Sequence, residues 1–200
     1  NAIIDEDGNV FVIGFFDNNI IFNSQQIERT WSNSFIAKYS STGVPLLIII
    51  GEKCTLDQLI KLNDKTIAVV GRYSSNALLG STEIIKKAGG TYNIFCAKLD
   101  DNLNVQFIKQ FYGSECYNSS IIITNDEHIL LQNNYQGGTH IVGLETLHTG
   151  SQGYAKYLVE IDNSGNFSNL KFLDQEFGWS INSVRKDAEG NTFILGGFIN

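Results

Sequence analysis

An all-β fold is what the sequence predicts, arranged as a β-propeller of four-stranded antiparallel blades, and three observations carry that expectation. One pattern of turn, apolar strand, long connection, apolar strand and Gly-containing turn recurs about every 60 residues. Four phase-matched apolar runs carry the repeat: Val10–Phe16, Thr66–Tyr73, His128–Tyr135 and Thr192–Phe198, with Gly14, Gly71 and Gly196 marking one point in three of them. Nineteen Gly against a single Pro, Pro45, fit strands joined by tight turns better than flexible linkers.

Each unit divides into strands A to D. Strand A is expected at Ala2–Asp5, Leu56–Leu62, Ser120–Thr124 and Ile181–Arg185, each entering a polar hairpin turn at Asp7-Gly8-Asn9, Asn63-Asp64-Lys65, Asn125-Asp126-Glu127 and Glu189-Gly190-Asn191. Strand B is the apolar run itself, and its near-continuous apolar character implies burial on both faces, where a one-sided sheet would alternate. Strand C is Phe35–Tyr39, Phe95–Leu99 and Tyr157–Ile161, following connections of some 20 residues. Polar turns then lead to strand D at Val44–Ile50, Val105–Tyr112 and Phe167–Leu173, and Gly51, Gly113 and Gly178 close the units. The blades so defined are 1–51, 52–114 and 115–178, with 179–200 holding the first two strands of a fourth.

The pieces DEDGNVFVIGFF, SFIAKYSSTG and DAEGNTFILGGF resemble the SBBP-type β-propeller repeat, in which D-x-x-G-N-V-Y-V-T-G is followed by D-x-F-V-A-K-Y-D-x-x-G. The likeness runs along nearly the whole chain. It is good in the first unit, fair in the second (NIFCAKLDD) and weak in the third, where Gln132-Asn133-Asn134 stands in place of small residues and glycine. The resemblance implies the propeller fold and a secreted or cell-surface setting, and no reaction. Propellers close with about four to eight blades. The expectation is therefore an arc of a larger propeller whose bare ends are covered by further blades or by a second chain.

Composition narrows the functions. A net charge of −7 without a basic run excludes the usual phosphate-binding footprint of nucleic-acid proteins. The longest apolar run, Val44–Ile50, is far below the ~20 residues that span a bilayer, so no membrane insertion of this segment is expected. Three cysteines, Cys54, Cys96 and Cys116, are too few and odd in number for a disulfide framework and form no C-x-x-C pair. Free thiols are expected, although Cys54 and Cys116 share a repeat position, three residues after Gly51 and Gly113.

No cofactor, metal or catalytic motif emerges. Asp5-Glu6-Asp7-Gly8-Asn9 opens like a calcium loop, but Phe16 stands where the later acidic ligand belongs, and a hairpin turn explains the same residues. His128, His140 and His148 lack the spacing of a zinc pair. Gly89-Gly90 and Gly137-Gly138 lack the lysine of a phosphate loop, and no G-x-S-x-G occurs. Lys186–Phe193 approaches the sialidase Asp-box without its Ser, aligned Asp or Trp.

Aromatic residues assigned to the long-loop face are the remaining candidates for ligand binding: Trp31, Tyr73, Tyr92, Tyr117, Tyr154 and Trp179. Exposed rings stack on sugars and anchor protein partners, and packing between blades is the alternative role for each. The expected function is a non-enzymatic binding or scaffold module that recognises a protein or glycan. A propeller-based glycosidase or lyase with axial carboxylates, and a structural segment of a large surface assembly, are the alternatives.

Overall fold

The computed structural model describes residues 1–30, 33–62, 65–123, 128–148, 154–173, 179–187 and 189–198. It is all-β and antiparallel, without a helix among the described residues. Two compact units appear, one made of Asn1–Lys87 and Ile94–Lys109, the other of Ala88–Asn93 and Gln110–Asn200.

The first unit contains β1 (Ala2–Ile4), β2 (Val10–Phe16), β3 (Ile20–Phe22), β4 (Gln25–Ile27), β5 (Asn33–Tyr39), β6 (Pro45–Lys61), β7 (Ile67–Leu79), β8 (Thr82–Ile84), β9 (Asn93–Leu99) and the start of β10 (Val105–Ile123). Its sheet order is β1-β2-β5-β6-β7-β9-β10, with β8 folded back on β7 and β3–β4 a separate hairpin. Its core joins Phe11, Ile36, Leu59, Val69, Tyr73, Leu79 and Phe95. The second unit takes the rest of β10, then β11 (Ile129–Val142), β12 (Glu145–His148), β13 (Tyr154–Ile161) and β14 (Phe167–Leu173) in the order β10-β11-β13-β14, with β12 on β11. A separate hairpin, β15 (Trp179–Lys186) and β16 (Thr192–Phe198), completes it.

Strands B and C form at the expected residues, and their register follows the repeat. Gly14 faces Phe35 across β2–β5, and Asn133 faces Tyr157 across β11–β13. Two expectations need correction. Strands D and A were to be separate elements; instead Pro45–Ile50 and Leu56–Lys61 become two parts of β6, and Val105–Tyr112 and Ser120–Ile123 two parts of β10. The front of β6 pairs with β5 and its back with β7. The physical reason is that nothing between Ile50 and Leu56 makes a turn. Lys53, at φ 57°, produces only a bulge, seen as a register shift between Glu52 and Cys54. The residue pairs 51/52 and 114/115 consequently lie inside continuous strands.

The long B-to-C connections are the second correction, because they are hairpins and not loops. Turns at Asn23-Ser24, Gly80-Ser81 and Gly143-Leu144 reverse the chain between β3 and β4, β7 and β8, and β11 and β12. Asn23, Ser24, Gly80 and Gly143 all take the left-handed backbone that two-residue hairpin turns require. Asn19 and Asn76 hold the first two hairpins from equivalent places, their Oδ1 atoms accepting from the Arg29 and Lys86 amides at 2.9 and 2.8 Å.

The polar turns share one device. Asp5, Asp100, Asp162 and Asp187 each accept, through Oδ1, the backbone N–H of the Asn four residues on, and through Oδ2 that residue's side-chain amide, at 2.7–2.9 Å. This explains the calcium-like DEDGN: both Asp5 oxygens are engaged by protein donors. The Asn166 side chain and then its backbone hold the Asp162 carboxyl below the usual carboxylate range. The turns expected at Asn63-Asp64 and Asn125-Asp126-Glu127 lie outside the described residues.

Candidate functional site

Of the six aromatic candidates, Tyr92 is a surface ring, 45% exposed. Tyr73 is not: at 1% exposure it packs in the first unit against Phe95, with ring centroids 6.2 Å apart. It falls inside because β7 runs on to Leu79, which makes position 73 mid-strand instead of the start of a loop. Tyr117, Tyr154 and Trp179 occupy backbone positions in β10, β13 and β15, and their side chains lie outside the described residues, as does Trp31 altogether. The exposed apolar side chains on the hairpins and their flanks are others: Phe15, Ile21, Ile85 and Leu144.

The strongest chemistry-bearing cluster was missed by spacing arguments. In the second unit the Cys116 Sγ lies 3.7 Å from His140 Nδ1, His140 Nε2 lies 3.0 Å from the Tyr157 hydroxyl, and Asn133 Nδ2 donates to that hydroxyl at 2.9 Å. Tyr135 stacks on the His140 ring at 4.8 Å. A thiol beside an imidazole is the arrangement of cysteine nucleophiles. Here Cys116 is 1% exposed and His140, Tyr157 and Asn133 are fully buried. Burial lowers the His140 pKa to about 4, so the ring is neutral and no imidazolium stabilises a thiolate. Without charge or access, the network acts as structure.

Its origin is visible in the repeat. In the first unit, a Cβ on Gly14 would come within 2.7 Å of the Phe35 ring, and one on Gly71 within 2.7 Å of the Phe95 ring. Those glycines exist to admit the rings. The third repeat has Asn133 at the glycine position and Tyr157 at the Phe position, and the hydroxyl that Tyr adds is the acceptor that Asn needs. The sequence departure is thus a matched pair.

Cys54 occupies the position equivalent to Cys116. Ser34 Oγ donates to the Cys54 carbonyl at 3.0 Å, and burial pushes the Cys54 thiol up to about 11. Cys96 is also buried, its thiol pushed up to about 12, and all three cysteines are reduced. The lysine of the A-K-Y motif is likewise internal. Lys38, 5% exposed, places Nζ 2.6 Å from Asp101 Oδ1, 3.8 Å from Asp5 Oδ2 and 4.9 Å over the Phe11 ring. It ties the first polar turn and the turn of the next repeat to one cation.

Among the described residues, no group of His, Cys, Asp or Glu is placed to hold a metal ion, and no helix is long and apolar enough to cross a membrane. Neither the protein-family models nor the curated proteins contain a match to this chain.

Proposed function

We propose that the chain is an arc of SBBP-like β-propeller repeats from a secreted or cell-surface protein, and that it is a non-enzymatic module whose hairpin face recognises a protein or glycan. The observation that carries this reading is the hairpin set. Each hairpin turns one side inward, as Ala77, Leu79 and Ile84 do, and sets an apolar side chain outward at or beside it: Ile21 at 77% exposure, Ile85 at 52% and Leu144 fully exposed. Apolar surface displayed repeatedly on polar-edged projections marks interaction sites. The thiol–imidazole pairing of Cys116 and His140 is sealed and neutral, so it supplies no accessible nucleophile.

The β15–β16 hairpin supports the arc. Phe193 and Leu195 on β16 are 61% and 66% exposed, whereas the equivalent Phe11 and Ile13 of β2 are 1% and 8% exposed beside β5. A further C-type strand, from another repeat or a second chain, would cover them in the same way.

Glycan arrays and displayed-peptide libraries screened with the wild-type chain, and again with Tyr92→Ala, Leu144→Ser, Trp31→Ala and Trp179→Ala, test the face. Hits that weaken in these variants support it. Hits indifferent to all four place recognition elsewhere.

A further inference from the structure

The polar network inside the third repeat settles its own hydrogen bonds in one direction, and that direction leaves an acceptor over at its end. The Cys116 thiol donates to the Ser114 carbonyl at 3.4 Å, a shorter approach than the 3.7 Å to His140 Nδ1. The sulfur is then the acceptor for an Nδ1–H, and a neutral imidazole protonated on Nδ1 carries no hydrogen on Nε2. Nε2 accepts from the Tyr157 hydroxyl at 3.0 Å, and the hydroxyl oxygen accepts from Asn133 Nδ2 at 2.9 Å. The chain of bonds ends on the Asn133 amide, with Oδ1 still to be satisfied.

Asn133 Oδ1 is buried and meets no hydrogen-bonding group of the protein, and the hydroxyl of Tyr135 is in the same position. Both residues are 0% exposed. Two residues apart on β11, they project from one face of the strand. They also share neighbours: Asn133 bonds to the Tyr157 hydroxyl, while the Tyr135 ring lies 4.8 Å from the His140 ring and 6.1 Å from the Tyr157 ring. Burial pushes the Tyr135 hydroxyl up to about 12, so it keeps its hydrogen and is a donor. The preceding repeat has Gly71 and Ala77 where this one has Asn133 and His140, and Ala77 sits there in a hydrophobic cluster with Tyr73 and Phe95. The unmatched acceptor therefore arrived together with the polar network.

We infer that the interior of the third repeat holds one ordered water molecule, which donates to Asn133 Oδ1 and accepts from the Tyr135 hydroxyl. Two partners fall within the range of about two to four that buried waters make. Water answers both atoms because it donates and accepts; a cation would face the hydroxyl hydrogen and an anion the amide oxygen. Leaving either group dry costs its full desolvation penalty, which a bridging water removes. The site extends the Cys116–His140–Tyr157–Asn133 network to Tyr135. It lies wholly within the second unit and is independent of any partner on the hairpin face.

The test combines a high-resolution crystal structure of the chain with urea melts of the wild type and Tyr135→Phe. Density for one water within hydrogen-bonding reach of the Tyr135 hydroxyl and Asn133 Oδ1 is expected. Tyr135→Phe removes only the hydroxyl and keeps the ring that stacks on His140. With the water lost or left with one partner, the unfolding constant should rise about threefold to tenfold, whereas deleting a dry, unpaired hydroxyl would lower it. Both atoms dry in the density, either atom bonded to another protein group, or an unfolding constant left unchanged or lowered by Tyr135→Phe would each overturn the assignment.

Discussion

Lowering the pH from neutral should destabilise the second unit through His140. The folded-state pKa of this ring is lowered to about 4 by burial, against 6.5 when free. Between those values the unfolded chain binds a proton that the folded chain refuses, so unfolding is favoured as pH falls. The shift of about two and a half pH units corresponds to about 3 kcal/mol, fully present above pH ~6.5 and mostly gone by pH ~4.5. That is a large part of the ~5–15 kcal/mol that holds an ordinary domain. Urea melts followed by far-UV circular dichroism at constant ionic strength, stepped from neutral pH to about 4.5, give the slope. His140→Ala introduces the residue that the preceding repeat uses at Ala77. Its static cost is the same at every pH, so the difference in pH slope between the two proteins isolates the proton. Parallel slopes would show that His140 titrates normally in the folded protein, and the buried neutral network described above would be wrong.

Three other outcomes follow from the same geometry. Tyr157→Phe should cost about 1–3 kcal/mol by leaving the Asn133 amide and His140 Nε2 unpaired, and Asn133→Gly should cost less because the Tyr157 hydroxyl keeps its His140 partner; the double variant, restoring the Gly–Phe pattern of the other repeats, should cost clearly less than their sum, and additive costs in a double-mutant cycle would contradict the matched pair. Gly71→Ala should lose about 1–3 kcal/mol in a thermal or urea melt, because its new methyl meets the Thr55 backbone carbonyl and the Phe95 ring, whereas Gly43→Ala, where a Cβ meets nothing within 4 Å, should show only the lesser strain of a positive φ. Asp101→Ala should cost about 1–3 kcal/mol by removing the 2.6 Å carboxylate contact and leaving Lys38 with the residue-101 carbonyl and the longer Asp5 contact, and Lys38→Met in the same background should recover part of that loss.

Strands B and C were legible because their signals are local: continuous apolar runs bounded by Asp-Asn or Gly turns specify both the element and its register. The turn chemistry was legible for the same reason, since an Asp and an Asn four apart can close on each other within one hairpin. The fusion of D with A was not. Gly51 and Gly113 look like terminators, and only the pairing shows that Gly51 is a ladder residue between Ser34 and Leu79, ahead of the Lys53 bulge, and that Gly113, at φ 121°, lies against the Thr139 carbonyl. The projecting hairpins were hidden because Asn23-Ser24 sits between runs of only three residues and Gly80-Ser81 is followed by one, below the length at which alternation can be read. At the candidate site, exposure could not be separated from aromatic character. Tyr73 and Tyr92 are the same residue type, yet one completes the Phe95 packing and the other faces water. The Cys116–His140 contact was invisible because its partners are 24 residues apart. A usable sign was present nonetheless: Asn133 for Gly and Tyr157 for Phe occur at positions that face each other, and a simultaneous change at facing positions is how a repeat records a contact.

β6 makes neighbouring repeats unable to fail one at a time. The backbone leaving the edge of one repeat is, without a break, the backbone entering the interior of the next, so fraying at Pro45 pulls on the same seventeen-residue ribbon that β7 must grip. Loosening on one side is passed along as tension to the other. An array wired in this way should melt as a block, and a protease cutting near Gly51 would undo two repeats with a single scission.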